Sequence, residues 1–149
     1  MFNFIAKRNR QKPQEVSSGS VLVIEDSAVD RVFIQNVLRK ADFEVVAVEN
    51  SRQGIAMAKQ KPPDVIILDH FLPDLSGLEV CRILKRNPGT KNIPIIFLTV
   101  AEDGYTLLEC YEAGAHTFLN KPICAKELIL QVELTLQDKR EGGEEEYDL

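Results

Sequence analysis

The sequence predicts an α/β fold: a parallel sheet covered by helices on both faces. Three observations predict it. Short apolar runs alternate with segments of helical periodicity five times over. Several of the runs are unbroken rather than alternating apolar and polar, as strands buried on both faces require. Most end abruptly in a charged or hydroxyl residue just before a helix begins, which places the chemistry at the strand ends.

The elements follow in order. Residues 1–19 are polar and read as a flexible N-terminal arm, with Phe2, Phe4 and Ile5 able to dock on a sheet edge or a partner. Ser20 to Ile24 is a buried strand ending in Glu25-Asp26. Ser27 or Asp26 caps a helix from Ala28 to Lys40. Its stripe is Val29, Phe33, Ile34, Val37 and Leu38, which leaves Ala28 and Val32 exposed. Phe43 to Val48 is a strand, and Ser51 to Gln60 a short helix closed by Pro62-Pro63. Val65-Ile66-Ile67-Leu68 is too short for a helix, is rich in β-branched residues and ends in Asp69. Pro73 and Gly77 then break the chain before a helix from Ser76 to Arg86. Ile93 to Leu98 is a strand ending in Thr99, and Asp103 to Ala113 a helix stopped by Gly114. Thr117 to Asn120 is a short strand ending in Lys121-Pro122. Lys126 to about Lys139 is the last helix, and Gly142-Gly143 opens a disordered acidic tail over residues 140–149.

Bulk properties narrow the class. With 149 residues, 44% hydrophobic and 28% charged, the chain is long enough for one domain with a sizeable core. No apolar run approaches the roughly 20 residues of a membrane span, and the amino terminus lacks a signal-peptide pattern, so a cytoplasmic protein with no membrane partner is expected. A net charge of −5 argues against general nucleic-acid binding. It is unevenly spread between a basic head (Lys7, Arg8, Arg10, Lys12) and the acidic tail. Three cysteines without a C-x-x-C pair argue against a disulfide framework or zinc. Cys81 and Cys110 read as core residues and Cys124 as more exposed.

In a parallel sheet the strand carboxyl ends share one edge. Glu25, Asp26, Asp69, Thr99 and Lys121 therefore converge there. Taken singly, each has a bland reading: Asp26 and Thr99 as helix caps, Asp69 as a turn residue, Lys121 as a solvated loop lysine. Their conjunction from four strands does not. Like charges at roughly 4 Å cost on the order of 4 kcal/mol per pair at an effective dielectric near 20. Such a cluster calls for a cation, and hard carboxylate oxygens suit Mg²⁺ or Mn²⁺. A metal, a lysine and a carboxylate with a free oxygen suit phosphoryl transfer to Asp69, with Thr99 donating to the anion.

At this point the sequence resembles the receiver domain of two-component response regulators, over roughly residues 20–139. The matching residues are Glu25-Asp26, Asp69-x-x-Leu72-Pro73-x-x-x-Gly77, Thr99, Ala113-Gly114-Ala115 and Lys121-Pro122. The resemblance implies a flavodoxin-like (βα)5 fold with sheet order 2-1-3-4-5. It implies that Asp69 accepts a phosphoryl group from a histidine kinase or histidine phosphotransfer protein. It further implies that Glu25, Asp26, Asp69 and the carbonyl of Phe71 hold Mg²⁺, and that Thr99 and Lys121 bind the phosphoryl group. Phe118 matches the aromatic switch position, although its sequence equally fits a core aromatic on the fifth strand.

Two residues depart from the commonest pattern: Val100 replaces a small residue, and Phe71 follows close on Asp69. If both crowd the acceptor, the aspartyl phosphate hydrolyses slowly. No output domain follows residue 139, so a stand-alone receiver acting through a protein partner is expected. Leu107, Leu130 and Leu134 lie off the main stripes of the last two helices and suggest an effector site or homodimer. Ala28 and Val32 mark the surface where, by the family's pattern, the histidine donor docks. The rivals are a phosphorylation-independent scaffold with the same fold, a metal-dependent phosphatase and a flavin module. The phosphatase class wants a second Asp where Phe71 stands, and flavin wants a phosphate-cradling loop where Glu25-Asp26-Ser27 stands.

Overall fold

The computed structural model describes residues 17–100 and 104–148. The expected docking residues Phe2, Phe4 and Ile5 and the basic head lie outside them. The elements are β1 (Gly19–Ile24), α1 (Ala28–Lys40), β2 (Phe43–Val48), α2 (Ser51–Gln60), β3 (Val65–Asp69), α3 (Gly77–Arg86), β4 (Ile95–Thr99), α4 (Gly104–Ala113), β5 (Thr117–Asn120) and α5 (Ala125–Asp148). The five strands are parallel and ordered β2-β1-β3-β4-β5, the flavodoxin-like arrangement.

Strand pleating splits the core in two. Val21, Val23, Val65, Ile67, Ile96 and Leu98 face one side, where α1 adds Ile34 and Leu38 and α5 adds Leu128, Val132 and Leu136. Leu22, Ile24, Ile66, Leu68, Ile95 and Phe97 face the other, against Ala58 of α2, Val80, Cys81 and Leu84 of α3 and Cys110 of α4. Because β3 and β4 are central and covered on both sides, every residue of each is buried. The helices start as their sequences dictate. Ser27, Asn50 and Ser76 each accept a hydrogen bond from the backbone N–H three residues on.

Two expectations fail. Val29 and Phe33 do not join the core stripe of α1: they are 80% and 38% exposed. The five apolar residues wrap too wide an arc, Val29 lying roughly 140° round the helix from Ile34, and a helix over a sheet buries only the narrow face carrying Ile34 and Leu38. The last helix does not stop near Lys139 but runs to Asp148. No helix among the described residues is long and apolar enough to cross a membrane.

Candidate functional site

The carboxyl edge of the sheet gathers the expected residues. Glu25 follows β1 and is fully buried, and Asp69 ends β3 and is 4% exposed, whereas Asp26 is exposed. One carboxylate oxygen from each lies within 4.8 Å of the others. Lys121, from the end of β5, points its Nζ into this group, 2.6 Å from Glu25 Oε1 and 3.4 Å from Asp69 Oδ2. Thr99 ends β4 and is buried, and its carbonyl accepts the backbone N–H of Lys121 at 3.0 Å, which fixes the two strand ends together.

Backbone contacts hold the carboxylates in place. The Arg31 guanidinium donates to the carbonyls of Glu25 (2.8 Å) and Asp26 (3.2 Å), clamping the β1–α1 turn. The N–H of Ser27 donates to Glu25 Oε2 (3.1 Å), and that of Phe71 to Asp69 Oδ1 (3.4 Å). Beyond Asp69 the chain closes on itself: Gly77 N–H donates to the His70 carbonyl at 2.9 Å, and a Cβ at Gly77 would run into the carbonyl oxygen of Asp69. Only glycine fits there. The same loop is anchored sideways by Asp74, whose carboxylate accepts the N–H groups of Ser51 (2.9 Å) and Arg52 (3.0 Å) at the start of α2. Burial works against that charge, but these hydrogen bonds outweigh it and hold the Asp74 carboxyl well below the usual range.

The electrostatics show a group short of positive charge. Burial, reinforced by a hydrogen bond and repulsion from Asp69, pushes Glu25 up to about 7, with Lys121 and the Ser27 N–H pulling the other way. Burial alone would lower Lys121, but Glu25 and Asp69 hold its pKa above the ordinary value. One ammonium thus meets two members of a cluster of three carboxylates. An all-oxygen donor set of this kind, with one exposed member open to water, fits a hard divalent cation such as Mg²⁺.

The surroundings differ from expectation in part. Phe71 and Val100 are 62% and 60% exposed, and the Phe71 ring leans edge-on against His70 at 4.7 Å. Leu107 is half-buried, and among the described side chains of α4 the exposed large apolar ones are Leu108 and Tyr111. Leu130 and Leu134 of α5 are exposed as expected, and so are Ala28 and Val32. Phe118 is half-buried, with its ring edge-to-face with Tyr111 at 4.6 Å. The sequence reading missed Asp30, Arg31 and Asp74. For Asp30 a signal existed, the Ser27-x-x-Asp30 spacing of a helix start.

A family model described as the response regulator receiver domain matches residues 21–133. The chain belongs to this receiver family. Its curated relatives include the phosphate regulon transcriptional regulatory protein PhoB of Pseudomonas aeruginosa, 34% identical over 85% of this chain and 55% of that protein. The DNA-binding response regulator MtrA of Mycolicibacterium paratuberculosis is 31% identical over 78% of this chain and 51% of its own length. The receiver thus spans about half the length of these two relatives. Among solved structures, the signal receiver domain of a histidine kinase from Syntrophus aciditrophicus is 30% identical with a TM-score of 0.75, covering 81% of this chain and 92% of that one. The chemotaxis protein CheY4 of Vibrio cholerae is 28% identical with a TM-score of 0.75, covering 78% and 97%.

Proposed function

We propose that this receiver takes a phosphoryl group onto Asp69 from a phosphohistidine of a histidine kinase or phosphotransfer protein, in a Mg²⁺-dependent reaction. The observation that carries the reading is the placement of Asp69 Oδ2 3.4 Å from Lys121 Nζ, within a cluster of three carboxylate ligand atoms. An Asp69 oxygen attacks phosphorus in line, the phosphorus–nitrogen bond breaks, and the leaving imidazole takes up a proton. Lys121 sits where its ammonium meets the added negative charge. Thr99, tied through its carbonyl to Lys121, adds a hydroxyl at the same edge. Glu25, Asp26, Asp69 and the Phe71 carbonyl are the residues that would hold Mg²⁺, which supplies charge neutralisation for the phosphoryl oxygens.

Two surfaces carry the partners. Ala28, Val29, Val32 and Phe33 leave an apolar patch on the first turns of α1, beside the site, suited to a histidine donor. Leu108 and Tyr111 of α4, with Leu130 and Leu134 of α5, leave a second patch for a protein effector or a homodimer. The contact of Tyr111 with Phe118 joins that patch to β5, so a shift of Phe118 as Thr99 engages the phosphoryl group would reach it. The test is phosphoryl uptake from a small phosphodonor with Mg²⁺. Wild type takes up label and loses the ability in EDTA; uptake by Asp69→Ala at the wild-type rate would overturn the reading.

A further inference from the structure

Lys121 has a third partner that the acid cluster does not explain. Asp30 Oδ2 lies 3.3 Å from its Nζ, and the Asp30 side chain is partly exposed. Asp30 stands three residues into α1 from the cap Ser27, where an acidic side chain ordinarily turns back to the cap's own N–H and favours the helix dipole. Half of that arrangement is present: the Asp30 N–H donates to Ser27 Oγ at 3.3 Å. The other half is replaced. The Ser27 N–H is taken by Glu25 Oε2 at 3.1 Å, and the Asp30 carboxylate turns to the lysine.

Resting on the phosphoryl-acceptor reading above, we propose that Asp30 is a positioning residue for Lys121. The ammonium and a divalent cation compete for the same oxygens of Glu25 and Asp69. Asp30 draws part of the ammonium outward, and so leaves those oxygens more available to the cation. Its hold is the one to yield, because the Asp30 carboxylate is partly exposed whereas Glu25 is fully buried and 2.6 Å from the ammonium. When negative charge arrives on Asp69, Lys121 leaves Asp30 first.

The test is a double-mutant cycle on Mg²⁺ binding followed by calorimetry, since the chain has no tryptophan. Asp30→Asn weakens Mg²⁺ affinity about three- to fivefold, the scale of a partly exposed ion pair. In a Lys121→Met background the same substitution changes it less than about twofold. An equal effect in both backgrounds, or none in the first, would overturn the proposal. A second readout needs no Lys121 variant: the Nζ signal of Lys121 by nitrogen-15 NMR shifts in Asp30→Asn and returns toward wild type in Asp30→Glu, and an unmoved signal counts against the proposal. Failure of the wild type to bind Mg²⁺ would remove the underlying acceptor reading, and this inference with it. Binding that is indifferent to Asp30 removes only the inference.

Discussion

Replacing Lys121 by Met should cost stability in a pH-dependent way, and the size of the effect follows from Glu25. Removing one partner of a buried pair ordinarily costs about 3–5 kcal/mol, because a charge is left uncompensated. Here the stranded group can escape by taking up a proton. Glu25 already sits near 7 instead of 4.5, pushed there by burial and by Asp69. Near pH 8 it lies about one unit from protonation, and one unit is about 1.4 kcal/mol. The loss through Glu25 is therefore capped at about 1.4 kcal/mol near pH 8. Near pH 6 Glu25 is largely protonated in the wild type too, so the loss through it approaches zero. The sign in the wild type runs the same way. A carboxyl with a raised folded pKa contributes stability that is fully present below 4.5 and is lost as pH rises through about 7. The assay is urea unfolding of both proteins in EDTA at roughly pH 6 and pH 8, comparing midpoints at matched slopes. The weaker, partly exposed pair with Asp30 adds an offset of similar size at both values. A destabilisation equal at the two pH values, or greater near pH 6, would show that protonation of Glu25 does not relieve the loss of Lys121.

Three further outcomes follow from the same geometry. Gly77→Ala forces the β3–α3 loop away from the Asp69 carbonyl and should cost about 1–3 kcal/mol by denaturant unfolding. It should also slow phosphoryl uptake, and an unaltered rate would show that the loop does not hold the acceptor. Val29→Glu should leave stability within about 0.5 kcal/mol, because its side chain is 80% exposed, while slowing transfer from a phosphohistidine protein and not from a small phosphodonor. Equal slowing with both donors would place the defect in the site rather than the docking surface. Leu130→Lys with Leu134→Lys should abolish any phosphoryl-dependent self-association seen by sedimentation, and unchanged assembly would discard the homodimer.

What was legible in the sequence is what local chemistry dictates. The strands are short runs of buried apolar residues, and Val65 to Asp69 reads as a strand because nothing else suits four apolar residues ending in a carboxylate. The convergence of Glu25, Asp26, Asp69, Thr99 and Lys121 follows once the strands are parallel, since parallel strands share a carboxyl edge. What was not legible depends on orientation across elements. Val29 and Phe33 share the apolar character of Ile34 and Leu38, and only the width of the sheet-facing arc separates them. Phe71 and Val100 stand next to the site in sequence, and both are more than half exposed. Asp30 reads as a helix-start acid, and its contact with Lys121 depends on how the start of α1 meets the end of β5. Asp74 reads as a turn residue, and its role at the start of α2 depends on how two loops pack.

The central claim is that Asp69 is the phosphoryl acceptor. Treating the phosphodonor-incubated protein with borohydride reduces an acyl phosphate on an aspartate to homoserine, and peptide mapping then locates it. The account predicts homoserine at position 69 alone, dependent on Mg²⁺ and absent from Asp69→Asn. Reduction at Glu25 or Asp26 instead, or none anywhere after full exposure to donor and Mg²⁺, would contradict it.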